Sequence, residues 1–448
     1  MSRIEARYLI ETPFDVAHAC DVMAGEQSCG TFTRLAAETD ELRERHAARV
    51  ESIELLDSVT TPSLPMPTRP QPDGTRYQRA RVTLSWPLEN LGPSLTTLMA
   101  TLAGNLYELK EFSGLRLESV QLPDAFAGAY PGPQFGIAGT RQLTGIGQGP
   151  LIGTIIKPSV GLDPQATASV VQQLLDGGID FIKDDELQAN GPHNPLEARV
   201  DAIMPLVHAH QQKTGRKVMV AFNITGEIDD MRRHHDHVLA AGGSCVMVAL
   251  NAVGLAGVSH LRRHCQLPIH GHRAGWGMFS RDPLLGMDFA AWQTFWRLAG
   301  ADHLHVNGLA NKFSESDASV AASARACLTP LFPAAGPAHT VMPVFSSNQT
   351  ACQAIDTWRA MGGSSDMIVT AGGGIMAHPG GIAAGVRSLR QAYDAAAQGV
   401  SLAEHAREHR ELAQALELDA SLTEARKVLA QVHQFLGEHE YAIEEARR

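Results

Sequence analysis

Cysteine, positive charge and long apolar runs are all scarce in this chain, and each shortage removes a class of protein. The six cysteines, Cys20, Cys29, Cys245, Cys265, Cys327 and Cys352, form no CxxC pair. So thin a spread gives no disulfide framework and fits reduced thiols in a cytoplasmic protein. Lys and Arg number 37 against 48 Asp and Glu, a formal charge of −11. That balance argues against nucleic acid and anionic membranes as partners, since both need a positive field. A local cationic pocket stays possible. No window of about 18 uncharged apolar residues occurs, and the N-terminus MSRIEARYLIETP lacks the apolar core of a signal peptide. What remains is a soluble globular protein, expected in the cytoplasm. With 448 residues, 44% of them hydrophobic, it has length for two or three domains, or for one barrel with an appendage.

To about residue 130, alternating strands such as Arg79–Trp86 (RARVTLSW) mix with helical patterns, as in an α+β domain. Thr60–Thr75 carries five prolines and reads as an exposed loop. Leu122–Gly147, rich in Pro and Gly, is expected to be a linker. Beyond residue 150, short apolar runs alternate with amphipathic stretches. The runs are Leu151–Pro158, Gly178–Asp185, Lys217–Ile224, Ser244–Leu250, Leu267–Arg273, Asp302–Gly308, His339–Ser346 and Met367–Gly374. Eight such units predict a closed (β/α)8 TIM barrel, with a doubly wound open sheet as the competing arrangement. Polar residues at nearly every run's C-terminal end favour the barrel, where those ends share one mouth. The expected division is 1–130 (α+β domain), 131–412 (barrel) and 413–448 (C-terminal helices). In the last part, ALELDASLTEARKVLAQVHQFLGEHEYAIEEARR resembles one tetratricopeptide-like hairpin, with Leu436-Gly437 and Tyr441-Ala442 in fitting places. Plain helices packed on the barrel are the alternative, because a lone repeat cannot bury its own face.

Lys183-Asp184-Asp185-Glu186 is the most informative run. Strand alternation sends Lys183 and Asp185 to one side and Asp184 to the other, with Glu186 on the loop beyond. Two carboxylates at a strand end are hard oxygen ligands suited to Mg2+. An ammonium among them repels a cation. Either Lys183 neutralises the carboxylates, or its amine has taken up CO2 as a carbamate and become an oxygen ligand. His270, His272, Arg273 and His305 supply donors at two neighbouring run ends, and arginine suits a phosphate through its planar fork. Gly372-Gly373-Gly374 exposes backbone N–H groups after the eighth run, where barrels commonly bind phosphate. Lys312 lies on a polar loop that, folded over the mouth, reaches an anionic substrate.

GTIIKPSVGLDP, GGIDFIKDDE, HGHRAGW, the His305-to-Lys312 interval and GGGIMAHPGG resemble, in that order, the barrel motifs of RuBisCO large chains. GEQSCGTF and LAGNLYE resemble that family's N-terminal motifs, so the resemblance runs from about residue 7 to about 415. It implies that Lys183 is carbamylated and, with Asp185 and Glu186, binds Mg2+. Lys157 then handles protons during enolisation, and His272 is a further acid/base. Arg273, His305 and Ser346 match one phosphate pocket; Thr31, Gly372 and Gly373 match the other. Lys312 matches the mobile-loop lysine. Glu26 and Asn105 match residues that reach into the neighbouring subunit's site, which implies a homodimer with shared sites and allows higher assemblies.

The departures decide which branch of the family is meant. KPKLGL reads Lys157-Pro158-Ser159-Val160-Gly161-Leu162, and the loop GKLEG reads Asn311-Lys312-Phe313-Ser314-Glu315. The turn SGG reads Ser346-Ser347-Asn348, and an expected Trp is Phe32. These changes point to a RuBisCO-like protein that does not carboxylate. Retained Glu26, Lys157, His272 and Lys312 suit a phosphorylated keto sugar acid. The implied reaction is that of a 3-oxo-isoapionate 4-phosphate decarboxylase or transcarboxylase/hydrolase in carbohydrate catabolism. The alternatives are a methylthio-ribulose phosphate isomerase or diketo-methylthiopentyl phosphate enolase of methionine salvage, and a non-catalytic binding barrel.

Overall fold

The computed structural model describes residues 2–30, 35–66, 72–333 and 339–435. Four strands form the N-terminal sheet: β1 (Arg3–Thr12), β2 (Arg49–Val59), β3 (Tyr77–Pro87) and β4 (Gly114–Gln121). They pair antiparallel in the order β4-β1-β3-β2. Alternation buries Ile4, Tyr8 and Ile10 of β1 beside Ala80, Val82 and Leu84 of β3. Helices Val16–Glu26 and Leu95–Ala103 add Met23, Leu98 and Leu102 to the same core. The first begins at Asp15, whose carboxylate caps the His18 N–H.

The eight expected runs all become barrel strands: β5 (Leu151–Ile155), β6 (Phe181–Lys183), β7 (Met219–Asn223), β8 (Cys245–Ala249), β9 (Ile269–His272), β11 (His303–His305), β12 (Met342–Phe345) and β13 (Ile368–Thr370). Their parallel pairing closes into a ring. Leu151, Phe181, Met219, Cys245, Met247, Met342 and Ile368 pack together inside it.

The expected linker is instead structured. Helices Ala125–Ala129 and Gly136–Thr144 lie within it, and Ile137, Leu143 and Ile146 pack against the barrel's inner core. Asp302, fully buried, fastens this plug by accepting from the N–H groups of Phe135 (2.6 Å) and Gly136 (2.8 Å). Its pairing with Arg262 at 3.0 Å completes the knot.

One strand was not foreseen. Leu285–Met287, here β10, leaves the barrel after β9 and joins the N-terminal sheet parallel to β4. Arg116 of β4 ties the junction, donating to Asp288 Oδ1 and to the carbonyls of Asp282, Leu285 and Met287. At the other end, the chain closes with helix Ile382–Gln398 and a long helix, Arg410–Phe435. Leu436-Gly437 and Tyr441-Ala442, on which the hairpin reading rested, lie outside the described residues. All six cysteines are free thiols. Among the described residues no helix is long and apolar enough to cross a membrane.

Candidate active site

The strand ends open into a cavity of about 1270 Å³. Lys157, Lys183, Glu186, His272, Arg273, His305, Lys312, Ser346, Gly372 and Gly373 all line it. Asp185, buried just beneath, is reached through Lys157, whose Nζ donates to Asp185 Oδ2 at 2.6 Å and to Ser159 Oγ at 2.8 Å. Ser159 thus gives Lys157 an uncharged neighbour where the related motif has a second lysine. Burial pushes the Asp185 carboxyl up, but the bonds from Lys157, the Leu187 N–H and Ser159 outweigh it and hold it below the ordinary value.

Lys183 ends β6 with no exposed surface. Its Nζ donates to the Asp184 carbonyl at 2.8 Å and lies 3.6 Å from Glu186 Oε2. Burial lowers its pKa despite the carboxylates of Glu186, Asp185 and Asp184, which makes the neutral amine that reacts with CO2 easier to reach than in a solvated lysine. Asp184 points the other way, as alternation requires, and pairs with Arg199 at 3.0 Å. Asn223, at the end of β7, holds the loop by donating to the carbonyls of Asp185 and Glu186.

His272 accepts the Ala274 N–H at Nδ1, so its proton sits on Nε2, 3.5 Å from Glu186 Oε2. Burial first, then Lys183, holds this imidazole well below its usual pKa and therefore neutral. His270, expected at the mouth, is instead fully buried inside the barrel, because it lies two residues deeper along the same face. It belongs to a chain: Ser346 Oγ to His305 Nδ1 (3.0 Å), His305 Nε2 to His270 Nε2 (2.8 Å), His270 Nδ1 to His303 Nδ1 (3.2 Å), and His303 Nε2 to Thr140 Oγ1 (2.8 Å). One end fixes every proton. Thr140 donates to the Gly136 carbonyl, so it accepts from His303. Neutral rings then pass the pattern along, His270 donating to His303, His305 to His270, and Ser346 to His305. Burial keeps all three rings uncharged, His303 down to about 3.

The loops after β11 and β12 are strained. Asn307, Ala310, Ser347 and Asn348 have φ of 75°, 47°, 69° and 54°. Ser347 and Asn348 thus stand in the left-handed region that favours glycine, the residue the related motif has there. Asn348 Nδ2 also donates to the Ala310 carbonyl at 3.3 Å, tying the two loops together.

Glu26 and Asn105 meet each other, Asn105 Nδ2 donating to Glu26 Oε1 at 3.3 Å, but neither lines the cavity of their own chain. Thr31 and Phe32 lie outside the described residues. A second group of possible ligands, His235, Asp236 and His264, lies on the barrel's outer helices. There the Gln266 N–H donates to His235 Nε2, so Nδ1 carries a proton toward Asp236 and has no lone pair for a metal.

The order and spacing of these residues match known sequences. The pattern of the ribulose bisphosphate carboxylase large chain, catalytic domain, matches residues 136–418, and that of its N-terminal domain matches 6–126. The chain belongs to the RuBisCO large-chain family. A transcarboxylase/hydrolase of 3-oxo-isoapionate 4-phosphate from Xanthobacter autotrophicus is 58% identical over 404 residues, 90% of this chain and 96% of that one. A 3-oxo-isoapionate 4-phosphate decarboxylase from Rhizobium etli is 46% identical over 92% of this chain and 97% of its own. The crystal structure of a rubisco-like protein from Burkholderia fungorum superposes with a TM-score of 0.86 at 48% identity, covering 93% of this chain and all of that one.

Within this RuBisCO-family frame, Arg199, Thr140, His303 and Glu315 are the residues that sequence reasoning missed. Arg199 had one signal: a charge amid the apolar positions Leu196, Val200 and Ile203 of helix Leu196–Thr214. Glu315 had none, because its partner Arg273 lies on another strand's loop.

Proposed function

We propose that this RuBisCO-like enzyme cleaves the carbon–carbon bond beside the keto group of 3-oxo-isoapionate 4-phosphate. The observation that carries the reading is the 58% identity to a transcarboxylase/hydrolase of that compound. The 46% identity to a decarboxylase puts simple CO2 release second. Intact Lys183, Asp185 and Glu186 weigh against a non-catalytic barrel. The methylthio-sugar reactions lack relatives of comparable identity among those compared above.

Hydrolysis adds hydroxide to the keto carbon, which departs as a carboxylate, whereas decarboxylation releases the substrate's own carboxylate carbon as CO2. Both leave an electron pair on the carbon next to the keto group, and both need a proton returned there. Lys183 as a carbamate, with Asp185 and Glu186, would hold Mg2+; a buried amine of lowered pKa among carboxylate oxygens fits that group. When bound, the ion supplies Lewis-acid polarisation of a carbonyl oxygen. Lys157, aimed by Asp185 and Ser159, returns the proton to carbon. His272, neutral and protonated at Nε2, donates to the keto oxygen. Lys312 on the rim meets the substrate carboxylate. Gly372 and Gly373, which line the cavity, receive the phosphate. We place the enzyme in the cytoplasm as a homodimer, each chain's Glu26 and Asn105 completing the partner's site.

Purified protein, preincubated with Mg2+ and bicarbonate, should consume 3-oxo-isoapionate 4-phosphate and yield cleavage products detectable by mass spectrometry. With ribulose bisphosphate it should incorporate no labelled bicarbonate into acid-stable product. Robust incorporation would restore the carboxylase reading. Subunit sharing has its own test. Inactive Asn105→Ala and Lys183→Ala chains, mixed and allowed to exchange, should regain up to about a quarter of the activity, as random pairing of two defects predicts. No recovery despite proven exchange would argue for a site within one chain.

A further inference from the structure

The loop that carries Lys312 also carries an anion of its own. Glu315 Oε2 accepts from Arg273 Nη2 at 2.8 Å and from Asn307 Nδ2 at 3.2 Å, while Oε1 accepts from Ser319 Oγ at 2.9 Å. Its side chain is only 16% exposed. Of Arg273, His305 and Ser346, Arg273 is the cation, and Glu315 neutralises it.

The pocket's other donors are also engaged. Ser346 gives its proton to His305, and His305 gives its own to His270, a direction fixed from Thr140 at the far end of the chain of rings. The turn after β12, where Ser347 and Asn348 stand, is tied to the same loop through Ala310. These are two independent observations, one of charge and one of proton direction. Together they describe a site already supplied with an anion, in which His305 and Ser346 have given their protons elsewhere.

We propose that Glu315 limits the enzyme to substrates with one phosphate by filling the Arg273–His305–Ser346 pocket with the protein's own carboxylate. The inference rests on the reaction proposed above for its monophosphate substrate. A second phosphate would bring a charge of about −1.5 to −2 against the Glu315 carboxylate in a largely buried site. To enter, it must displace three hydrogen bonds and the loop that makes them. An uncharged end of the substrate meets no such barrier. Arg273 Nη1, buried and without a partner among the described residues, remains to donate to a hydroxyl or carbonyl oxygen. In the resembling loop motif GKLEG the matching position is Gly, which places no charge there.

The test is a ratio of affinities. Calorimetry on the full chain, with Mg2+ and bicarbonate, should find that ribulose 1,5-bisphosphate binds no more tightly than ribulose 5-phosphate. In Glu315→Gln, of nearly the same shape, the bisphosphate should gain about tenfold or more over the monophosphate, the worth of one charge-assisted contact restored. Glu315→Gly, which empties the pocket, should shift the ratio in the same direction. An unchanged ratio in both variants overturns the proposal. So does equal tightening of the two ligands, since the single phosphate would then itself sit on Arg273. Failure to turn over 3-oxo-isoapionate 4-phosphate would defeat the proposed reaction without touching this ratio, so the two claims fail separately.

Discussion

Lys183→Ala is expected to lower turnover by about a thousandfold or more, because several kcal/mol of carbonyl polarisation depend on the ion that this residue helps to hold. The same variant should fold. Lys183 makes one hydrogen bond to a carbonyl and a 3.6 Å contact with Glu186, which is itself 36% exposed and also faces His272. Removing a buried amine also removes its desolvation cost. Its unfolding transition should therefore stay cooperative and within about 5 °C of the parent. Chelation by EDTA should reproduce the loss in the parent protein. Retained activity in EDTA, or in Lys183→Ala, would remove the carbamate and the ion from the mechanism.

A second large effect lies outside the cavity. Arg199 and Asp184 are both buried, with 0% and 1% of their side chains exposed. Arg199 also donates to the carbonyls of Asn194, Gln188 and Ala189. Asp184 accepts the Asn223 N–H at 2.9 Å, so this one carboxylate joins β6, β7 and the loop beyond them. Arg199→Met keeps the bulk and removes the charge, leaving the buried Asp184 carboxyl without its cationic partner. The expected cost is about 3–5 kcal/mol of stability, read from urea unfolding. Because Asp184 stands between Lys183 and Asp185, apparent Mg2+ affinity should also fall, by about ten- to a hundredfold. A loss below about 1 kcal/mol would show that the pair is replaceable packing.

The barrel was legible because parallel strands covered on both faces read as short, largely apolar runs, and eight such runs alternated with helical stretches. The parity of Lys183, Asp184 and Asp185 was legible for a similar reason: a period of two admits only two directions. Other features hid behind the same simplicity. His270 and His303 share the inward parity of His272 and His305, and parity does not report depth, so His270 was placed at the mouth. Helix Gly136–Thr144 was missed because its glycines and flanking prolines resemble a linker. Its order comes from Asp302, more than 150 residues away in sequence. β10 is three residues long, too short for any periodicity to show. The ion pair of Glu315 with Arg273 is long-range in the same sense: each residue looks unremarkable until the barrel brings their loops together.

β10 has a further consequence. The N-terminal sheet borrows its last strand from the barrel, so neither half is a detachable module. A fragment ending near residue 130 would keep β4 but lose the strand on its outer edge, exposing a row of unpaired backbone groups that invites pairing with another copy. Arg116 would lose its four recorded partners, all of which come from residues 282–288. Because that stretch follows directly from the turn bearing His272 and Arg273, sheet and barrel rim are mechanically one piece. A push on the outer sheet is therefore passed along one short stretch of backbone to the wall that holds Arg273.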